Sequence, residues 1–137
     1  MKLKIYTDGG SRNNPGPGGI GILVCDAEDN EILRHKDYIG EATNNIAEYC
    51  ALIAGLEIAF EIKADEVVCH LDSELVVKQM KGEYQVKHPQ MKKLNFEVQN
   101  QLRKFNSVSF IHLRREHPKM KIADALVNEA LDAELCS

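Results

Sequence analysis

Four acidic residues that are far apart in the sequence have the side-chain chemistry of a metal site. Asp8, Glu48, Asp72 and Asp124 each lie where a strand is predicted to end or a helix to begin, among polar or small neighbours. Mg²⁺ requires oxygen ligands in octahedral geometry, and two such ions can clamp the attacking and leaving oxygens of a phosphodiester. The four acids therefore indicate a two-metal nuclease site, provided that the fold brings them together.

The hydrophobic pattern predicts the elements that would position these acids. The predicted strands cover residues 2–7, 18–25, 31–39, 66–71 and 108–113. The predicted helices cover residues 45–62, 73–80 and 89–104, with a last helix that begins near Ala123 after a loop over 114–122. Three consecutive strands predict an antiparallel meander, and the later crossover predicts parallel pairing. The fold class is therefore α/β, a five-stranded mixed sheet, three antiparallel strands then two parallel, with helices on both faces.

A sheet of this kind predicts where the acids meet. Ligands bind at the carboxyl ends of parallel strands, and Asp8 and Asp72 are predicted to end the first and fourth strands. If those strands pair, their backbones lie about 4.8 Å apart, so the two carboxylates could share a metal. Glu48 and Asp124, near the predicted starts of two helices, would complete the ring, and the positive helix ends would favour their charge.

Each acid also has a purely structural explanation. Asp8 could form a turn, Asp72 could belong to a helix cap, Glu48 could complete a capping box with Asn45, and Asp124 could complement a helix dipole. These explanations predict no common location for the four residues. Because all four fall on one edge of one plausible sheet, the metal-site interpretation is favoured.

Length and composition narrow the class of protein. The chain has 137 residues, 44% of them hydrophobic, which predicts a single domain over residues 1–137. No apolar run approaches the roughly 20 residues of a membrane span, and the start of the sequence lacks a signal peptide, so we expect a cytoplasmic protein. The net charge of −4 disfavours binding of nucleic acid by bulk positive charge, although two bound divalent cations would offset it. We expect a monomer without an obligate protein partner.

Two other sequence features argue against a zinc site and against a dinucleotide-binding site. The four cysteines are widely spaced without a C-x-x-C pair, which argues against zinc and predicts reduced thiols, with a disulfide at Cys136 left open. The run from Gly16 to Gly21 spells G-x-G-x-x-G, but it is predicted to open a strand. A dinucleotide site requires that turn to open a helix, so a Rossmann domain is disfavoured.

Five short segments together resemble type 1 ribonuclease H, and the match covers essentially the whole chain. They are residues 7–11 (TDGGS), 14–19 (NPGPGG), 43–48 (TNNIAE), 71–73 (LDS) and 123–128 (ADALVN). The resemblance implies a ribonuclease H-like fold and endonucleolytic cleavage of the RNA strand of RNA/DNA hybrids, leaving 5′-phosphate and 3′-hydroxyl ends. It also implies two Mg²⁺ ions, with Mn²⁺ as a possible substitute, held by the four acids, Asp8 bridging both.

The resemblance assigns further residues to the substrate. The amides of Asn14, Asn44 and Asn45 would read 2′-hydroxyls and base edges across the minor groove, and Thr43 would contact a DNA phosphate. The three asparagines could also be turn and cap residues.

Two more expected minor-groove contacts follow the third acid, at Ser73 and Glu74. Many relatives carry Gln at the second of these positions. A glutamate accepts hydrogen bonds but cannot donate them, so that contact would be altered here.

A histidine near the last acid is the expected accessory to catalysis. His117 lies in a segment where relatives carry a mobile histidine that assists proton transfer or product release, and an imidazole titrates in the useful range. His112 is the rival candidate, and Met120 departs from the Asn that is usual in relatives. The chain has no tryptophan, unlike relatives that bind the hybrid with a basic, tryptophan-containing protrusion. Its basic segments could still contact phosphates. Their residues are Lys81, Lys87, His88, Lys92, Lys93, Arg114, Arg115, Lys119 and Lys121.

Two rival functions stay open at the level of sequence. A proofreading-type 3′→5′ exonuclease would carry Asp-x-Glu on the first strand, whereas this chain has Asp8-Gly9-Gly10. A non-catalytic hybrid-binding module would have no need of all four acids. Both rivals are therefore disfavoured.

Overall fold

The computed structural model describes residues 1–136, which form one five-stranded sheet and four helices. The strands are β1 (Lys2–Ser11), β2 (Gly16–Asp26), β3 (Glu31–Ala42), β4 (Glu66–Leu71) and β5 (Ser107–His112). The helices are α1 (Asn44–Glu61), α2 (Glu74–Met80), α3 (Pro89–Leu102) and α4 (Pro118–Leu135). The strand order is β3-β2-β1-β4-β5, with β1 at the centre.

The pairing pattern confirms the predicted mixed sheet. β1, β2 and β3 form antiparallel pairs, whereas β4 pairs in parallel with β1 and with β5. The parallel register between β1 and β4 ends at Thr7 and Leu71, while β1 continues against β2 as far as Ser11. A gap therefore opens beside the second half of β1, and Asp8 is the first residue to border it.

Successive side chains of β1 point to opposite faces of the sheet, as the period of a strand requires. Leu3 and Ile5 are fully buried in the large core cluster that includes residues of α1. Tyr6, two residues before Asp8, packs instead in a smaller cluster with Met120 of α4. The sheet thus has a helix layer on each face, as predicted.

The structure corrects two predicted boundaries near the acids. β1 does not end at Thr7, because the glycines that follow continue the antiparallel ladder with β2. The last helix begins at Pro118 and not near Ala123, so most of the predicted loop over 114–122 is helical. Proline is favoured in the first turn of a helix, and buried Met120 lies on the same helical stripe as Ala123.

Two expectations from composition can be compared with the described residues. All four cysteines are free thiols, including exposed Cys136, so no disulfide forms there. Within residues 1–136, no helix combines the length and the apolarity that a membrane span requires.

Candidate active site

Three of the four predicted carboxylates converge where the parallel pairing ends. One carboxylate oxygen from each of Asp8, Glu48 and Asp72 lies within 4.8 Å of the others. Asp8 and Asp72 follow the last register pair of β1 and β4, which places them side by side. Glu48 comes from α1 on the other layer, so side chains from three separate elements meet at one point.

A glycine allows Glu48 to reach this point. A Cβ atom at Gly9 would lie 2.1 Å from the carbonyl oxygen of Ala47, so only glycine permits α1 to approach β1 this closely. The Gly9 amide also donates a 3.4 Å hydrogen bond to Oε1 of Glu48. The sequence at position 9 therefore determines where the second acid sits.

Burial and mutual repulsion perturb two of these acids. Asp8 is only 3% exposed and Glu48 only 6% exposed. Burial, followed by the charge of Asp72, raises the pKa of Asp8 to about 7. Burial, followed by the charges of Asp8 and Asp72, raises the pKa of Glu48 well above its usual value. Ionisation of Asp8 and Glu48 therefore lowers the free energy of unfolding of the metal-free protein.

The donor set fits divalent cations. Oδ1 of Asp8 and Oε2 of Glu48 are buried without a hydrogen-bond partner. Buried polar atoms are normally satisfied, so these two oxygens need a cation or water between them. Clustered carboxylate oxygens are the ligands that Mg²⁺ and Mn²⁺ prefer.

The fourth predicted acid, Asp124, borders the same cleft but lies outside the close group of three. It lies in the second turn of α4, too far from the helix start for the expected effect of the helix dipole. Its charge nevertheless contributes to the raised pKa of Asp8, so the two carboxylates are near each other. The cleft of about 460 Å³ exposes all four acids, together with the main chain of Gly9 and Gly10.

The comparisons with known proteins agree with this geometry. A family model described as reverse transcriptase-like matches residues 6–130. The bifunctional protein Rv2228c of Mycobacterium tuberculosis is 44% identical over 134 residues, covering 97% of this chain but only 36% of that protein. Ribonuclease HI of Halobacterium salinarum is 38% identical over 131 residues, covering 96% of this chain and 65% of that protein. The chain thus spans only part of these curated relatives.

A solved structure extends the similarity to three dimensions. LC11-RNase H1 in complex with an RNA/DNA hybrid has a TM-score of 0.91 and 43% identity, and the match covers 97% of this chain and 99% of that chain. The chain belongs to the type 1 ribonuclease H family. The ribonuclease H-like fold expected from the sequence motifs is therefore confirmed.

In this ribonuclease H family member, Arg115 and His112 both contact Asp72. Nε of Arg115 lies 3.2 Å from Oδ2 of Asp72, and the arginine side chain is 67% exposed. Nε2 of His112, the rival accessory histidine, lies 3.1 Å from the main-chain oxygen of Asp72. Arg115 lines the cleft, and its exposed guanidinium can exchange the Asp72 carboxylate for a phosphate.

The predicted amide and hydroxyl contacts gather at the start of α1. Asn44 and Asn45 line the cleft. Oδ1 of Asn14 accepts a 3.0 Å hydrogen bond from the Asn44 amide, and Oδ1 of Asn44 accepts one of 2.8 Å from the Ser11 amide. The Thr43 hydroxyl caps α1 by accepting from Ile46, so the helix begins one residue earlier than predicted. Side chains therefore link the β1–β2 connection to the start of α1.

The two predicted contacts on α2 have partners within the protein. Ser73 lines the cleft and caps α2 by accepting a 3.2 Å hydrogen bond from Val76. Oε1 of Glu74 forms a 2.8 Å ion pair with Lys78, whose Nζ also donates to the hydroxyl of Tyr84. The negative charge of Glu74 is therefore balanced by a lysine one turn further along the helix.

His117 lies outside the cleft lining in this structure. It is the N-cap of α4, where its Nδ1 accepts a hydrogen bond from the Lys119 amide at 3.2 Å. Its ring lies nearly parallel to the ring of Tyr6, with 6.1 Å between their centroids. The histidine predicted to be mobile is thus held at a helix start.

Two polar residues that line the cleft, Arg12 and Asn128, were given no role by the sequence interpretation. Asn128 lies four residues after Asp124, a spacing that places both on one helix face. Arg12 follows the true end of β1 and forms a 2.6 Å ion pair with Asp132 of α4. The helical spacing could have revealed Asn128, whereas Arg12 was hidden by the premature end assigned to β1.

Proposed function

We propose that this chain is an endoribonuclease that hydrolyses the RNA strand of RNA/DNA hybrids. The observation that carries the proposal is the convergence of Asp8, Glu48 and Asp72, with buried oxygens that have no partner in the protein. Burying three neighbouring carboxylates destabilises the folded protein unless cations neutralise their charge, so the cluster is expected to bind cations. Membership of the ribonuclease H family, together with a relative solved on an RNA/DNA hybrid, supports the substrate class.

The residues that would hold the cations are Asp8, Glu48, Asp72 and Asp124. Mg²⁺ is the proposed metal, with Mn²⁺ as a substitute, because the donors are all hard oxygens. Bound divalent cations would supply the Lewis acidity that activates an attacking water and stabilises the departing oxygen. In the reaction the water oxygen forms a bond to phosphorus and the bond to the 3′ oxygen breaks, leaving 5′-phosphate and 3′-hydroxyl ends.

The remaining residues would position the hybrid. Asn44 and Asn45 line the cleft at the start of α1, and Asn14 is hydrogen-bonded to the Asn44 amide. Their short amides would suit the shallow minor groove and the 2′-hydroxyls of an A-like duplex. Thr43 uses its hydroxyl oxygen as an acceptor for the helix cap, which leaves the hydroxyl proton for a DNA phosphate.

On the other side of the acids, Ser73 and Glu74 would face the minor groove. Lys78 neutralises Glu74 and can supply the donor that a glutamate lacks. Arg115 would hold a phosphate of the scissile strand.

The test uses a hybrid labelled on either strand, with an RNA duplex and a DNA duplex as comparisons. We expect the wild type to cut only the RNA strand of the hybrid, at internal positions and only with Mg²⁺ or Mn²⁺. Asp8→Asn should abolish cutting, while Asp37→Asn, at an exposed aspartate of β3, should cut normally. Stepwise release from one end would support the exonuclease, and binding without cutting would support a non-catalytic module.

Three broader expectations stay predictions. Residues 1–137 would form one ribonuclease H domain, act as a monomer and work in the cytoplasm. Light scattering during size-exclusion chromatography would test the monomer directly. The role of His117 in proton transfer or product release, taken from the family resemblance, is likewise a prediction.

A further inference from the structure

Three aromatic rings form a stack on the α4 face of the sheet, directly beside the acids. The Tyr6 ring stacks on the His70 ring with centroids 4.3 Å apart and planes 13° apart. The His117 ring follows Tyr6, with centroids 6.1 Å apart and planes 15° apart. The 6.1 Å separation falls in the range of favourable aromatic pairs, and the 4.3 Å separation lies just below it. We call His70, Tyr6 and His117 the ring stack.

Each ring lies close in sequence to one of the acids. Tyr6 and His70 are register partners on β1 and β4; Asp8 comes two residues after Tyr6 on β1, and Asp72 two residues after His70, directly beyond the end of β4. His117 caps α4, the helix that carries the fourth acid. The ring stack therefore ties together the three elements that bring acids to this face.

Hydrogen bonds fix all three rings. The Tyr6 hydroxyl donates to Oδ1 of Asp29 at 2.7 Å, and Nδ1 of His70 bonds to the main-chain oxygen of Ile5 at 3.0 Å. Nδ1 of His117 accepts from the Lys119 amide, so this nitrogen carries no proton while the cap is formed. The cap and the stack therefore hold the His117 ring from one nitrogen and one face.

We propose that the ring stack is a positioning device that sets the amino-terminal half of α4, and with it Asp124, relative to the acids on β1 and β4. His117 is then a positioning residue that acts through its ring. The inference rests on the proposed function, because it assigns the stack to the same cation site. α4 also contacts the sheet at Gly21, where a Cβ would meet the Ala123 carbonyl at 2.2 Å. The stack instead holds the amino-terminal end of α4, which precedes Ala123 in the sequence.

A pair of substitutions at His117 separates its ring from its cap. His117→Phe keeps a ring and loses the acceptor, whereas His117→Asn keeps an acceptor suited to an N-cap and loses the ring. Leu126→Met is the matched control, because it changes a buried side chain of α4 that is not part of the cluster containing Tyr6 and conserves volume. Each protein is titrated with MgCl₂ in the absence of nucleic acid, following the rise in Tm, and then assayed on the hybrid.

We expect His117→Asn to need about tenfold more Mg²⁺ for the half-maximal rise in Tm, the size of effect typical of residues that orient metal ligands. Its KM for hybrid should be unchanged, and its kcat should recover at saturating Mg²⁺. His117→Phe should have the lower Tm without Mg²⁺, because the cap is lost, yet a Mg²⁺ midpoint close to that of the control.

Three results would overturn the inference. One is an equal Mg²⁺ midpoint in His117→Asn and the control; another is a larger shift in His117→Phe than in His117→Asn. The third is a loss of kcat in both variants that saturating Mg²⁺ does not restore, which is the behaviour of a proton donor. If His117→Phe does not fold, His70→Phe and His70→Asn make the same comparison at the other end of the stack. A wild type that binds Mg²⁺ but cuts no hybrid would reject the proposed function while leaving the Tm test of the stack intact.

Discussion

Replacing Asp8 by Asn should make the metal-free protein more stable while destroying the site. The Asp8 carboxyl is buried beside Asp72 and Glu48, and burial followed by the charge of Asp72 raises its pKa from 3.8 to about 7. In the unfolded chain the same carboxyl titrates near its ordinary value. Between these two pKa values the folded protein binds more protons than the unfolded chain, so the free energy of unfolding falls as the pH rises.

The size of this effect follows from the two pKa values. At about 1.4 kcal/mol for each pKa step, the Asp8 carboxyl costs about 4 kcal/mol of stability at neutral pH, of which about 3 kcal/mol develops between pH 5 and pH 8. The raised pKa of Glu48 acts in the same direction. An asparagine cannot ionise, so Asp8→Asn should remove the Asp8 contribution and weaken the repulsion on Glu48.

Urea unfolding in EDTA at pH 5 and pH 8 measures this contribution. His70 opposes it, because burial lowers its pKa and favours folding as the pH rises, but comparison of wild type with variant cancels that effect. Asp37→Asn, at an exposed aspartate, is the matched control. We expect the advantage of Asp8→Asn over wild type to grow by about 3 kcal/mol from pH 5 to pH 8. Parallel pH profiles, or a variant less stable at pH 8, would refute the electrostatic argument.

Other predictions test the cations, the close contact and the arginine. Mg²⁺ at about 100 times its dissociation constant should stabilise the wild type by about 3 kcal/mol in urea unfolding, and Asp8→Asn by much less; equal stabilisation would contradict the site. Gly9→Ala should cost about 3 kcal/mol, because its Cβ meets a carbonyl at 2.1 Å, whereas Gly10→Ala, with nothing nearer than 3.9 Å, should be tolerated in the same unfolding assay. Arg115→Ala should reduce the salt slope of hybrid binding by about 1 in anisotropy titrations with Ca²⁺, and an unchanged slope would exclude a phosphate contact.

The topology was predictable because periodicity, turns and crossover rules all agree in this sequence. Alternating or apolar runs reveal each strand, and the absence of a helix before Asn44 requires the first three strands to be antiparallel neighbours. The order of the acids along the chain then leaves one sheet edge where they can meet. The structure brings Asp8, Glu48 and Asp72 together there, while Asp124 borders the same cleft.

The errors arose where main-chain contacts, not side chains, determine the structure. Gly9 and Gly10 have no side chain to continue an alternating pattern, yet their main chain pairs with β2 through residue 11. The start of α4 was missed because Pro118 and the cap at His117 were interpreted as loop residues. The ring stack was likewise invisible, since its three members are distant in sequence and only the sheet register makes Tyr6 and His70 neighbours.

Gly9, one of the glycines that obscured the end of β1, also allows the acids to converge, together with Gly21. A carboxylate on a helix can reach the edge of a sheet only if the helix main chain approaches the strand closely. Gly9 permits this on the α1 face, where a Cβ would lie 2.1 Å from a helix carbonyl, and Gly21 permits it on the α4 face, where the distance would be 2.2 Å. Because main-chain carbonyls cannot move aside as a flexible side chain can, both helices depend on glycine at these positions. The stabilising contacts of the two layers thus hold in place a cluster of charges that would otherwise repel one another.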